Sequence, residues 1–314
     1  MRIGIFISET SADTTGVEAL LANAVAAESA GFTTAWVPHI PWSFDALTAL
    51  TMAAGPTERI ELGTAVVPTY SRHPLAMAQQ ALSTQAAAGG RLALGIGPSH
   101  PVVVEQMYGL SYEHPIRHVR EHVAVLNDAF SGRGQVDFDG EVYRVHAMLR
   151  VPDAQPVTLL LAALAPLMLR LAGEQTAGTI TWMCDERATS EHVVPRITAA
   201  AERAGRPAPR VVAGLPIAVH DDVDEARQRA AKIFAVYSQI PTYQRILERG
   251  DGKEPADVCI VGDEQTVTRK LESHRDAGVT DLAATIFPVG DSPEARADSR
   301  RRTWELLASL APEL

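Results

Sequence analysis

Short apolar runs alternate with amphipathic stretches along almost the whole chain. Ile3–Ile7 reads as a first strand. Gly16–Ala30 reads as a helix, because Leu20, Leu21, Ala24, Val25 and Glu28 fall at helical spacing and Gly31 stops the run. Ala35–Val37 is the second strand, and Ser43 or Asp45 caps a helix that runs to Ala54. Ile60–Val67 and Leu92–Ile96 are the third and fourth strands. The helix between them, Leu75–Ala88, ends at Gly89-Gly90. A long loop then leads to a helix over Ile116–Phe130. Farther on, strands are expected at Val157–Ala162, Gly178–Trp182, Val211–Val219 and Asp281–Phe287, with a short extra one at Val258–Val261. The helices among them are Pro166–Glu174, Ser190–Ala204, Asp224–Tyr237, Glu264–Ala277 and Pro293–Leu310.

The rhythm breaks twice. Between about residues 132 and 150, turn residues separate the short alternating runs of Val136–Tyr143, which predicts a small hairpin. Gln239–Pro255 is polar and irregular, so about 239–257 reads as a second insertion or a lid. Eight buried-looking strands with helices between them imply a parallel sheet. The expectation is an α/β chain with one domain over residues 1–314, a (β/α)8 TIM barrel carrying these two insertions. The rival is an open doubly wound sheet, which usually carries a G-x-G-x-x-G turn after its first strand. Here that strand runs into Ser8-Glu9-Thr10-Ser11, and Gly95-Ile96-Gly97 is followed by Pro98-Ser99-His100. No Walker-type loop occurs either.

Composition narrows the partners. A chain of 314 residues that is 46% hydrophobic can bury a large core. Its net charge of −10 lacks the basic footprint of a nucleic-acid binder, so no nucleic-acid partner is expected. Cys184 and Cys259 stand apart, form no C-x-x-C motif and suit a reducing cytoplasm. The start has no signal-peptide pattern, and no apolar run is long enough to span a bilayer, so no membrane association is expected. His114, His118 and His122 recur every fourth residue, which would put them on one helix face and invites a metal reading. Arg117 and Arg120 crowd the same segment with positive charge, and no H-E-x-x-H pattern occurs. A solvated or anion-facing helix is the plainer account, and no metal is expected.

Two successive strands end alike. Glu61–Tyr70 closes on Ser71-Arg72-His73-Pro74, and Arg91–Gly97 closes on Pro98-Ser99-His100-Pro101. In a parallel barrel the C-terminal ends of the strands hold the active site. These stretches sit in order with Ala30-Gly31-Phe32-Thr33-Thr34-Ala35-Trp36-Val37, Leu171-Ala172-Gly173-Glu174, Val261-Gly262-Asp263 and Ala277-Gly278-Val279. In that order and spacing the chain resembles the luciferase-like flavin and deazaflavin oxidoreductase superfamily. The Gly97–Pro101 loop resembles the branch that uses the deazaflavin coenzyme F420. The resemblance implies a barrel with the cofactor lying across its C-terminal face. It also implies a non-proline cis peptide at Ala65–Val66, which forms a bulge behind the cofactor ring.

Taken alone, His39 reads as a loop histidine held by packing; the resemblance implies a donor to the cofactor ring or substrate. The family often has Asp before this histidine, where Pro38 stands here. Trp42 and Tyr70 are candidates for the substrate pocket, and an ordinary buried tryptophan is the other account of Trp42. His100 lies where relatives often carry a catalytic glutamate and is the candidate proton donor. Glu105, Tyr108 and Glu113 stand next in line for that role. Gly97, Pro98 and Ser99 are candidates to hold cofactor oxygens. Ala162, Ala163 and Leu164 precede Pro166 at a helix start, where free amides suit an anion; the resemblance implies the cofactor phosphate. Trp182 is placed beside the same ligand, or else in the core.

The expected function is hydride transfer between coenzyme F420 and a small-molecule substrate, by a cytoplasmic homodimer. Relatives commonly form homodimers, and Ala76–Ala88 offers a helix face of small residues. One alternative is an FMN-dependent monooxygenase on the same barrel. The other is a barrel that binds a cofactor without catalysis.

Overall fold

The computed structural model of the chain describes residues 1–8 and 16–312. Glu9, Thr10 and Ser11, part of the turn whose sequence lacks the glycine fingerprint, lie outside the described residues. Eight parallel strands form a ring: β1 (Arg2–Phe6), β2 (Thr34–Val37), β3 (Glu61–Thr64), β4 (Leu92–Gly97), β5 (Thr158–Ala162), β6 (Gly178–Trp182), β7 (Arg210–Val219) and β8 (Asp281–Ile286). Each strand pairs with its successor, and β8 pairs back onto β1 with Ile3 opposite Leu282, so the sheet closes. Closure excludes the open doubly wound sheet and leaves the ring without edges. The eight-strand count and the helices between strands agree with the (β/α)8 expectation.

The inside of the ring is filled by side chains, as in other barrels of this size. Trp36, Ala93, Leu160, Ile180, Val212 and Ala283, from six different strands, pack into one inner cluster. Trp36 is fully buried, and its indole takes the space that side chains on β1 and β3 would need. A Cβ on Gly4 would lie 2.5 Å from the indole nitrogen, and one on Gly63 would lie 2.3 Å from the ring carbons. The large residue on β2 therefore depends on the absent ones beside it.

Charge closes the N-terminal mouth. Arg210 on β7 donates to both oxygens of Glu61 on β3 at 3.0 and 2.8 Å, and to Asp281 on β8 at 2.7 Å. Strands β3 and β7 lie opposite each other in the ring, so this guanidinium spans it. Arg2 on β1 adds a bond to Glu61 at 2.7 Å and a contact with Asp281 at 3.3 Å. Burial opposes ionisation of Glu61, yet the bond and charge of Arg210, and then Arg2, hold its carboxyl below the usual range.

Several expectations change in detail. The third strand does not run through Ile60–Val67; it stops at Thr64 and resumes only as the two-residue Val67–Pro68, because residues 65 and 66 bulge out of the ladder. The hairpin is present, with Gln135–Asp139 pairing antiparallel to Arg144–Met148. The second insertion is not irregular. It folds as short helices Pro241–Leu247 and Pro255–Val258, each opened by a proline. The extra strand falls at Ile260–Gly262, beside the end of β7. The segment expected as one helix over Ser190–Ala204 begins earlier, at Glu186–Ala188, and passes through a π-helical turn at Thr189–Val193. Another π-helical turn, Val103–Met107, lies in the long loop after β4.

The mouth network makes a stability prediction. Arg210→Ala leaves the carboxylates of Glu61 and Asp281 together without their main counter-ion. The expected loss is about 3–5 kcal/mol in urea unfolding, the usual cost of breaking a partly buried ion pair from one side. A loss below about 1 kcal/mol, the range of surface pairs, would show that the network closes nothing.

Candidate active site

The floor of the C-terminal face is made of small residues. The Ala65–Val66 peptide is cis, at the position the resemblance implies. A Cβ on Gly97 would lie 3.0 Å from both Val66 Cγ2 and the Ala162 Cβ, so the ends of β3, β4 and β5 meet there. Ala65, Val66, Ala162 and Leu164 are half-buried, whereas Gly97 is buried and Ala163 belongs to the core. Thr64 fixes the bulge from below, its hydroxyl donating to Gly95 O and accepting from Gly95 N–H, both at 2.8 Å.

His39 sits on the loop after β2. Its Nδ1 accepts the Ala46 amide at 3.4 Å, which leaves the proton of the neutral ring on Nε2. Asp45 Oδ2 lies 3.5 Å from the same Nδ1. That carboxylate is already engaged: it pairs with Arg72, accepts Gln80 Nε2 at 3.2 Å and caps the helix Ala46–Ala54 through Thr48 N at 3.0 Å. Of the two expected caps, Asp45 is the one used, and it stands beside the ring in the absence of an Asp at position 38. Burial, then the Arg72 charge, pushes the His39 pKa down, with Asp45 opposing. The ring is therefore neutral near pH 7.

Tyr70 forms the centre of a stack. Its ring lies 3.7 Å from that of His118 at 7° and 5.2 Å from that of Tyr112 at 24°. The Tyr112 hydroxyl donates to Ser99 O at 3.2 Å and ties the stack to the loop after β4. Ser99 has φ 62°, in the left-handed region. Burial raises the Tyr70 phenol to about 12, and its hydroxyl is buried without a partner among the described residues.

The histidine-bearing helix corrects an expectation. Helix Pro115–Ala129 is not solvated along this face: His118 is 7% exposed and His122 fully buried, while His114 is exposed at the helix start. Helical spacing shows that residues share a face but not which way that face points, and here it points into the protein. His118 Nε2 bonds Thr69 Oγ1 at 3.0 Å, and its Nδ1 lies 3.4 Å from the Tyr143 hydroxyl. His122 Nε2 donates to Arg72 O at 3.3 Å. Among the described residues no group of three or more His, Cys, Asp or Glu side chains could hold a metal ion. The hairpin tip is clamped onto this helix, the Glu121 carboxylate accepting the amides of Glu141, Val142 and Tyr143 at 2.8–3.0 Å.

The opposite flank is aromatic. The His100 ring meets Tyr243 at 5.4 Å, Tyr243 meets Tyr237 at 5.1 Å, and Tyr237 meets Trp182 at 5.8 Å. Burial lowers the His100 pKa. Trp182 is half-buried and packs edge-on to Phe234 as well, so it is wall and core at once. Trp42 is 54% exposed on the loop after β2, which rules out the buried-tryptophan account. Glu105 and Glu113 are exposed, and Tyr108 is half-buried.

Helix Pro166–Gln175 starts without a side-chain cap, and Leu167 in its first turn is exposed. Its first amides are thus open to an anion. The carbonyl just before it, Leu164 O, accepts His192 Nε2–H at 2.7 Å. His192, Tyr112, Tyr237 and Tyr243 did not stand out in the sequence, because a single aromatic or histidine in a polar stretch carries no periodic signal. Cavities of about 540 and 460 Å³ open elsewhere, at the N-terminal mouth and beneath the hairpin, and neither borders His39, Tyr70 or His100.

Burial of neutral histidines has a pH consequence. Burial, with Glu121 opposing, lowers His118 to about 4. Burial and then the His118 charge lower His122 to about 3. The unfolded chain binds these protons near pH 6.5 and the folded chain does not, so stability falls as pH drops below about 6.5. Urea unfolding midpoints should fall steadily from pH 7 to 4, and His122→Gln should flatten that slope. An unchanged slope would remove these histidines as its cause.

The 5,10-methylenetetrahydromethanopterin reductase of Methanolobus tindarius is 30% identical over 282 residues, covering 90% of this chain and 84% of that one. The F420-dependent glucose-6-phosphate dehydrogenase of Nakamurella multipartita is 30% identical over 315 residues, covering 95% and 86%. Among solved structures, the coenzyme F420 dependent tetrahydromethanopterin reductase from Methanopyrus kandleri shares the fold with a TM-score of 0.78, over 98% of this chain and 97% of that one, at 24% identity. The sequence profile described as luciferase-like monooxygenase matches residues 1–298, and with these relatives it shows that the chain belongs to the luciferase-like monooxygenase family.

Proposed function

We propose that this chain is an oxidoreductase that uses the deazaflavin coenzyme F420 for hydride transfer to or from a small organic substrate. The observation that carries the reading is the match, at 30% identity over nine-tenths or more of the chain, to relatives of which one is named F420-dependent and the other a reductase. The site fits a flat ligand with an anionic end. Its floor is Ala65, Val66, Gly97 and Ala162, its flanks are aromatic, and an uncapped helix start opens beside Leu164. The buried, unpartnered hydroxyl of Tyr70 is a polar group that a ligand would satisfy.

When bound, the coenzyme supplies or accepts the hydride, and the protein contributes orientation and a proton. In this reading Ala65, Val66, Gly97 and Ala162 back the ring, and Pro98 and Ser99 border it. Ala163 and Leu164 lead the backbone to the open amides of the Pro166–Gln175 helix, which hold the phosphate. His39 presents Nε2–H, since its Nδ1 is committed to Ala46. His100 exchanges a proton with the substrate. With its pKa lowered by burial it rests as the base, the form that takes a proton from an alcohol being oxidised. Trp42 and Tyr70 line the approach of the substrate, and Trp182 closes the far side.

Two other readings share the barrel. The family's description favours a monooxygenase, and the first of these readings is one that uses FMN. Pro38, and the histidine where relatives often have glutamate, favour a barrel that binds cofactor without turnover. Titration of the purified protein with both cofactors separates them: F420 should bind more tightly than FMN, and the reverse order would move the chain to the monooxygenase reading. In the same titration His39→Ala should weaken cofactor binding and turnover together. His100→Ala should lower turnover by roughly 10²–10⁴-fold at nearly unchanged affinity. Turnover of His100→Ala equal to wild type across pH would remove His100 from the mechanism.

We also place the protein in the cytoplasm as a homodimer. Both cysteines are free and buried, and no described helix is long and apolar enough to cross a membrane. Helix Pro74–Ala87 exposes Ala76, Ser83 and Ala87, small residues that allow close packing between subunits, with Gln79 among them. Light scattering at micromolar concentration should give twice the chain mass of 33.7 kDa, and the monomer mass would contradict the assignment.

A further inference from the structure

The segment that follows β6 holds one carboxylate with three backbone partners. Asp185 is buried. One of its oxygens accepts Ala188 N–H at 2.8 Å and caps the short helix Glu186–Ala188. The other accepts Asp251 N–H at 2.6 Å and Gly252 N–H at 3.2 Å. Neither of these belongs to a helix that needs capping; they come from the turn between the two short helices of the second insertion. The backbone closes on the carboxylate so tightly that a Cβ on Gly250 would lie 2.1–2.4 Å from its atoms. Arg187 reinforces the join with a bond to Asp251 at 3.0 Å.

We propose that Asp185 is a positioning residue that holds the 241–252 segment against His100, and so sets how far water reaches the reacting face. The function of the latch rests on the reading of that face as the cofactor site. Helix Pro241–Leu247 has only seven residues, too few to be stable alone, so its place is set by tertiary ties. Ile246 and Leu247 anchor it by apolar burial, which is strong but not directional. The Asp185 bonds fix direction at its C-terminal end. From that helix Tyr243 reaches the His100 ring and, through Tyr237, Trp182. A wall that sets a tyrosine ring against the candidate proton-transfer histidine governs its hydration, and exclusion of water limits proton leakage from a reacting site.

The first test needs no ligand. Hydrogen–deuterium exchange is compared in wild type, Asp185→Ala, Asp185→Asn and Gly250→Ala. Asp185→Ala should speed exchange roughly tenfold over 241–252 and also at the amides of Ser99, His100 and Val102, with Asp185→Asn between it and wild type. Gly250→Ala attacks the same join from the other side and should reproduce the pattern, and the two changes together should cost less than their sum. Faster exchange confined to 186–190 would mean that Asp185 only caps its own short helix, and would overturn the proposal. So would faster exchange at 241–252 with Ser99, His100 and Val102 unchanged. Where Asp185→Ala does not fold, Asp185→Asn and Gly250→Ala decide alone. In the second test, quenching of bound F420 fluorescence by acrylamide should roughly double in Asp185→Asn, with affinity within about threefold of wild type. Equal quenching would overturn the water-exclusion role. Failure of wild type to bind F420 would refute the functional reading instead; bound FMN then serves as the fluorescent probe, and the exchange test stands by itself.

Discussion

Arg210 holds the barrel at the end where no chemistry is expected. A closed ring of parallel strands must fix the height at which each strand begins, or the opposite ends will not meet. The guanidinium reaches Glu61 across the ring and Asp281 beside it, and Arg2 joins both. Four strands are thereby pinned at their starts. Trp36 then fills the interior between Gly4 and Gly63 and sets the spacing of β1, β2 and β3. With starts and spacing set, the strand ends emerge together. His39, Ala65, Ser99, Ala162 and Trp182 stand at or just past the C-terminal ends of five different strands, and they share one face because those strands share one origin.

At the functional end the dominant constraint is desolvation rather than charge. His39, His100, His118 and His122 all have lowered pKa values, with burial the largest cause in each. Asp45 is the carboxylate nearest His39, but Arg72, Gln80 and Thr48 already share it. It therefore opposes the effect of burial on His39 without reversing it. A face of neutral imidazoles and aromatic rings binds planar ligands through contact area and single directed hydrogen bonds. The uncapped first amides of helix Pro166–Gln175 add a positive pole that keeps its polarity at every pH.

The strands were legible because each is a short, nearly continuous apolar run, the pattern of a sheet covered on both faces. Their ends were less so: the interruption of β3 at Ala65–Val66 came from family resemblance, since nothing in Gly63-Thr64-Ala65-Val66 departs from strand chemistry. The helix Pro115–Ala129 shows the opposite limit. Its histidine spacing was plain, but Arg117 and Arg120 pulled the reading toward solvent. In the structure Arg117 turns outward to Glu141, while His118 and His122 turn in. The second insertion failed for a third reason. The turn between its short helices is held by Asp185 and the helices by distant apolar residues, and polarity along the chain cannot register such contacts.

The same contrast separates what this site shares from what is its own. The floor is backbone and small side chains, so its shape depends on strand ends: a Cβ on Gly97 would lie 3.0 Å from both Val66 and Ala162, which would have to give way. The walls come from loops whose anchors lie outside the barrel ladder. Tyr243 is carried by the second insertion, Tyr143 by the hairpin, and Tyr112 by the loop after β4. Each wall is fastened by a hydrogen bond or carboxylate of a loop or helix, not by the strands beneath it. Such walls can be exchanged without disturbing the ring, which is how one barrel comes to serve several substrates. In this chain the walls bring aromatic rings against His100 on the loop after β4. On the proposed reading, a substrate would meet this stacking surface and the imidazole of His100.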